Sequence, residues 1–332
     1  MRRPRFLSHR ADSFAFPPGH SICRSHHHQL FRAEGGEVCA ALSCDWDALL
    51  SGMSELGPVA LITHNRSVRL AMLVEQVDFA HEPLSDSYIE LQSGLIADPQ
   101  EWTYALAVQE NLPSGAIFGF QFFDRTGQGQ LKVVLTREAQ LEHFFAMVEE
   151  HGVGGYPPAC AEEPPSRTSD ATPPLLPGRT LLRGLWKRTR HETGGRFFPG
   201  LPGITRLAAL QNVGDDLARP ITLNHFLATL MALRRKRLPA RFTLFNRHLT
   251  HGVNLRARQL ERCPQGVHLF DSEGEFHLST ESPLLYWLIR DGGQTSFEII
   301  APCGERVALV SGAPGREIGW EHLLAKNQLS QG

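Results

Sequence analysis

Residues 118–134, FGFQFFDRTGQGQLKVV, constrain this chain more than any other stretch. Two β-rich runs, 118–123 and 130–135, flank Asp124-Arg-Thr-Gly127, where an acid that can bond its own backbone and a glycine free of steric limits supply the turn. The stretch therefore reads as a hairpin. Residues 296–310, SFEIIAPCGERVALV, repeat it, with Pro302 and Gly304 at the turn. Other landmarks recur in the same order. Asn65-Arg66 ends VALITHNR and Asn246-Arg247 ends RFTLFNR. Trp102 precedes the first hairpin and Trp287 the second, and a helical pattern follows each, at residues 137–150 and 316–326. A recurring order of landmarks predicts a duplicated chain.

The predicted fold is α+β, in two homologous halves, each a largely antiparallel β-sheet flanked by helices. Residues 1–25, rich in charge and proline, read as a disordered N-terminal segment, and residues 26–153 as the first repeat. Within it a short helix is expected at residues 28–33, then a strand and a helix capped by Asp45. The closing helix places Leu141, Phe144, Phe145 and Val148 on one stripe. Residues 154–178 hold seven prolines, so 154–180 are a semi-extended linker. Residues 181–332 form the second repeat, with a helix from Thr222 whose apolar side is Leu223, Phe226, Leu227, Leu230 and Met231. Its terminal Arg234–Arg237 cluster sets cations at the negative end of the helix dipole.

Bulk properties exclude several classes. With 33 basic against 35 acidic residues, there is no field to attract nucleic acid or an anionic membrane. No apolar run approaches the ~20 residues of a bilayer span, and the opening MRRPRFLSHRADS lacks the apolar core of a secretory signal, so a cytoplasmic location is expected. The six cysteines form no Cys-x-x-Cys pair and read as reduced structural thiols. Of the 16 histidines, the run His26-His27-His28 reads as a solvated segment, because three adjacent side chains do not converge on one ion. Gly-x-Ser-x-Gly, P-loop and His-Glu-x-x-His motifs are absent, and Asp124, Asp271 and Glu273 belong to turns.

LGPVALITHNRSV, FQFFDRTGQGQLKVVL, TRLAALQNVG and PGREIGWEHLL, in that order, resemble the tandem-repeat haemin-degrading proteins of bacterial haem utilisation, the HemS/ChuS-like group. The resemblance spans roughly residues 26–150 and 181–326 and makes this chain a divergent member. It implies haem (iron protoporphyrin IX) as cofactor, with a histidine on iron and basic residues on the propionates, and haem degradation with iron release as the activity. Two alternatives stand beside it: a non-enzymatic cytoplasmic haem carrier, and a repeat scaffold without haem. The implied partners are haem itself and a haem uptake transporter or haem oxygenase, with no nucleic acid and no membrane insertion.

By the same resemblance the iron ligand falls at Thr193, and the opposing arginine, six residues before Trp102, at Ile96. His191 is the candidate ligand in place of Thr193, provided that this stretch is a loop, since two residues along a helix turn by about 200°. Gly194-Gly195 and Pro199 favour a loop. His251 and His277 stand behind it as alternatives. Arg206, Arg316 and Lys132 are the candidate cations for the propionates or the haem face.

Overall fold

The structure, a computed structural model, describes residues 36–77, 89–90, 94–112, 115–153, 178–193, 204–246, 248–291 and 293–329. The N-terminal segment, the histidine run, the helix expected at residues 28–33 and nearly all of the linker lie outside the described residues. In chain order the elements are β1 (Gly36–Leu42), α1 (Trp46–Ser54), β2 (Val59–His64), β3 (Val68–Val74), β4 (Ile89–Glu90), β5 (Leu95–Ala97), β6 (Trp102–Leu112), β7 (Gly115–Asp124), β8 (Gly129–Leu135), α2 (Leu141–His151) and β9 (Gly152–Val153). Then come α3 (Arg179–Thr193), α4 (Arg206–Val213), β10 (Ala218–Ile221), α5 (Leu223–Lys236), β11 (Pro239–Phe245), β12 (Leu249–Arg256), β13 (Gln259–Cys263), β14 (Gly266–Phe270), β15 (Gly274–Ser279), β16 (Leu285–Asp291), β17 (Gln294–Ile300), β18 (Arg306–Gly312) and α6 (Glu317–Leu329). The α+β class and the antiparallel pairing are as expected. No described helix is long and apolar enough to cross a membrane.

Two compact units emerge. Unit 1 takes in Met1–Pro165, Thr243–Leu255 and Gln259–Ser279; unit 2 takes in Ser166–Phe242, Arg256–Arg258 and Thr280–Gly332. In unit 1 the strand order β13-β14-β15-β3-β2-β8-β7-β6-β1-β9 makes a ten-stranded sheet. Strands β13 to β15, which the repeat reading counts with the second half, thus extend the first-half sheet through antiparallel pairing of β15 with β3. Both expected hairpins form. At β7–β8, Asp124 Oδ1 accepts from the Thr126 and Gln128 backbone N–H groups at 2.9 and 3.0 Å and from the Thr126 hydroxyl at 2.7 Å, while Oδ2 accepts from Gln130. Gly127 closes the turn at φ 73°, a conformation that costs other residues ~1 kcal/mol or more.

The two repeated asparagines answer one another. Asn65 Oδ1 accepts from the Ser67 and Val68 N–H groups, shaping the β2–β3 turn, and its Nδ2 donates to the Phe245 carbonyl at 2.9 Å. Asn246 Nδ2 in turn donates to the His64 carbonyl at 3.2 Å. Equivalent residues of the two repeats therefore make equivalent bonds, as a duplication implies.

One face of the unit 1 sheet is closed by α1 and α2. Trp102 packs between Trp46 and Phe122, and Phe144 packs on Phe120. Asp45 caps α1 by accepting from Ala48 N–H. The buried stripe of α2 is Phe144 and Met147; the expected Phe145 is half exposed, with its ring against Phe118 and Phe144.

In unit 2 the strand order is β10-β16-β17-β18-β11, with Leu182, Trp186, Leu210, Val213, Trp287 and Ile300 in one core cluster. Each such side chain contributes about 1.5–3 kcal/mol by leaving water. On α5, Phe226, Leu227 and Leu230 are buried as expected while Met231 faces outward. Arg234, Arg235 and Lys236 occupy its last turn. Trp320 of α6 donates to the Thr295 carbonyl at 2.6 Å and packs edge-on against Phe297.

Candidate functional site

Arg206 opens α4, whose first turn is capped by the Thr205 hydroxyl accepting from Ala208 N–H. That position aims its side chain at the core of unit 2. The guanidinium lies 4.3 Å from the centroid of the Trp186 ring and forms a two-point pair with Glu298 of β17, Nε to Oε2 at 2.8 Å. Arg306 approaches the same carboxylate at 3.6 Å. Glu298 is 2 % exposed and Arg206 9 %. Burial alone would push the Glu298 carboxyl up, but Arg206 and Arg306 hold it below the usual carboxylate range. Burial lowers the Arg306 guanidinium to about 10, with Glu298 opposing. Arg206 is thus a buried, engaged cation and not a surface residue.

The other sequence candidates are dispersed. His191 lies on α3, which runs unbroken through Thr193, so the expected loop is absent. Leu182 and Trp186 anchor this helix in the core, and Gly194-Gly195 and Pro199 lie outside the described residues. Arg316 precedes α6 with its side chain exposed and in no hydrogen bond or ion pair among the described residues. Lys132, in unit 1, pairs with Glu110, whose Oε1 also accepts from Gln121 at 3.2 Å. Ile96 is buried opposite Thr250 of β12. His251 is fully buried, its Nδ1 2.9 Å from the Thr63 hydroxyl, which makes it a core histidine.

A second constellation lies on the unit 1 sheet. Strand register sets His268 opposite His277, His277 opposite Arg69, and Arg69 opposite His64, a row across β14, β15, β3 and β2. Directly opposed residues point to the same face, so four nitrogen-bearing side chains line up. Glu275 joins them. It pairs with Arg69, and its Oε2 lies 3.1 Å from His268 Nε2. Alternation along β3 and β2 puts Ala71, Leu73 and Ile62 on this face as well. Burial lowers His64, His268 and His277 to about 4, with Arg69 acting in the same direction on each and Lys132 also on His64. All three imidazoles are therefore neutral at neutral pH.

Sequence reasoning named His277 but missed His64, Arg69, His268 and Glu275. The alternations GVHLF and EFHLS put a histidine at the centre of each strand, which was the available signal. What the sequence does not display is that β15 pairs with β3, just over two hundred residues away. Likewise Glu298 and Arg306 were legible only as charges inside apolar strands. Among the described residues no group of three or more His, Cys, Asp or Glu is placed to hold a metal ion. Cys44, Cys263 and Cys303 are unpaired, Cys44 and Cys303 being exposed rather than structural.

Comparison with known proteins agrees with this architecture. Residues 40–147 match the family described as Haem utilisation ChuX/HutX. The chain is 23 % identical over 299 residues to the hemin transport protein HmuS of Yersinia pestis, covering 86 % of this chain and 83 % of that protein. The heme-binding protein PhuS of Pseudomonas aeruginosa, in its holo form, superposes with a TM-score of 0.74 at 21 % identity, over 88 % of this chain and 86 % of PhuS. The heme degrading enzyme ChuS of Escherichia coli O157:H7 superposes with a TM-score of 0.73 at 17 % identity, over 90 % and 87 %.

Proposed function

We propose that this chain, which is similar to a hemin transport protein over most of its length and matches the ChuX/HutX haem-utilisation family over residues 40–147, binds haem and degrades it to release iron. The observation that carries the reading is the row on unit 1, which lies partly within the matched domain. Ferric iron takes a neutral imidazole, and His64, His268 and His277 are neutral imidazoles. Propionates take cations, and Arg69 and Lys132 are on this sheet, paired with Glu275 and Glu110, so that a propionate meets either of them only by exchange. An apolar ring takes apolar ground, which half-buried Leu73 supplies. The donors present fit the group.

When bound, haem supplies the iron that activates dioxygen. The chain supplies binding and orientation. In unit 2 the nominated imidazole is His191 on α3, and Arg316, exposed, is the cation open to a propionate. Arg206 meets a carboxylate only in exchange for Glu298. A second reading, a carrier that hands haem to a separate oxygenase, is favoured by Thr193 and Ile96 standing where the resemblance puts a histidine and an arginine, since weaker coordination suits transfer. Haem titration followed by absorbance tests the binding: a saturating Soret shift at micromolar haem is expected, and its absence refutes haem binding. Ascorbate and oxygen then separate the two readings, because loss of the Soret band faster than for free haem, with biliverdin-like products, occurs only with degradation.

A further inference from the structure

We propose that His268 of β14 is an iron ligand for haem, binding through Nδ1 on the face of the unit 1 sheet; this rests on the haem reading above and names a ligand for it. The argument starts from Glu275. This carboxylate is 1 % exposed and fixed by Arg69. Paired as an ion it can only accept, so the hydrogen bond of 3.1 Å makes His268 Nε2 the protonated nitrogen and leaves the lone pair on Nδ1. No other hydrogen bond engages this ring among the described residues. A carboxylate behind one imidazole nitrogen, with the other open, is the arrangement that orients metal-bound histidines and raises their basicity.

Elsewhere in unit 1 the contacts differ: His248 Nδ1 has Glu101 Oε2 at a looser 3.7 Å. His251 is fully buried and uses Nδ1 on Thr63. His277 keeps a buried Nδ1 with no hydrogen-bond partner among the described residues. The His268 side chain is 17 % exposed, so a ligand can reach it. Phe270, buried, packs its ring 4.8 Å from that of His268 and holds the imidazole in place. A chelated ion needs three or more converging side chains, and none converge here; haem needs one axial imidazole and brings its other four nitrogens. The chemistry thus selects an anionic iron porphyrin over a free metal ion.

The experiment titrates the full chain with haem and, separately, with metal-free protoporphyrin, in wild type, His268→Ala, His268→Gln and His191→Ala. Absorbance and electron paramagnetic resonance are recorded, with circular dichroism to confirm folding. Loss of a ligand should weaken haem at least about tenfold and remove its axial-imidazole spectrum, with protoporphyrin uptake unchanged and the spectrum regained on adding imidazole. His191→Ala should leave this component in place. Glu275→Gln should weaken haem in the same direction as His268→Gln. Unchanged haem binding in both His268 variants overturns the assignment, and so does equal weakening of haem and protoporphyrin, which would mark His268 as a packing residue. If the wild type takes up no haem, the haem reading itself fails, an outcome distinct from either.

Discussion

Lowering the pH from 7.5 to 5 should destabilise unit 1 through His64. Its imidazole has an ordinary value of 6.5 and is lowered to about 4 in the fold, first by burial and then by Arg69 and Lys132. Above pH 6.5 both folded and unfolded chains hold it neutral, so it contributes nothing there. Below 6.5 the unfolded chain takes up a proton that the folded chain refuses, and stability falls until about pH 4, where both are protonated. With ~1.36 kcal/mol per pH unit, the loss is about 2 kcal/mol at pH 5 and near zero at pH 7.5. Native-state hydrogen exchange of the β2 and β3 amides, corrected for intrinsic rates, measures it directly. His268 and His277 shift in the same direction and act in any His64 variant too. The readout is therefore the difference: wild type should lose about 2 kcal/mol more than His64→Gln between the two pH values. Equal losses would show that His64 is not held neutral by its surroundings.

Trp320→Ala removes a side chain that is 1 % exposed together with its hydrogen bond to Thr295, and should cost about 3–5 kcal/mol in urea unfolding. Asp124→Ala deprives the Thr126 and Gln128 N–H groups and Gln130 of their acceptor in a buried turn; a loss of about 2–4 kcal/mol is expected, with Asp124→Asn losing less. Asn65→Ala removes two turn bonds and the bond to Phe245 and should cost about 2–3 kcal/mol, visible as faster exchange in β2 and β3. For the buried ion cluster, Glu298→Ala leaves two guanidiniums beside an emptied site and should cost about 3–5 kcal/mol, more than Arg206→Ala, after which Glu298 keeps Arg306. A thermal-melting comparison that reverses this order refutes the assignment of charges.

What was legible in the sequence was local. The hairpin at Asp124-Gly127 announces itself because an acid and a glycine at fixed offsets between alternating runs have few other uses. The cap at Asp45 and the cations ending α5 are equally local. The failures are those of context. Phe145 shares the period of a buried stripe with Phe144, yet it is half exposed, with its ring against Phe118 and Phe144. Arg206 was recognised by its motif, but nothing local says that a glutamate ninety-two residues later buries it. The row of histidines depends on strand order, the least local property of a sheet.

The same distinction explains how this chain keeps the fold of haem-binding proteins at about 20 % identity while Thr193 and Ile96 stand where the resemblance puts a ligand and an arginine. The fold is held by distributed burial, in which Leu182, Trp186, Phe120, Phe144 and many others each contribute a few kcal/mol and tolerate apolar exchange. An axial ligand has no such redundancy, since one nitrogen carries the bond. Ile96 is the informative case: it is buried on β5 against β12, so an arginine there would have to bury a charge and Ile96 stabilises the strand pair instead. An apolar residue there needs no compensating partner, so burial of the strand pair does not call for the arginine that the resemblance puts at this position. A carboxylate-backed imidazole on another face, as at His268 and Glu275, then matters more than the position the family would lead one to mutate first.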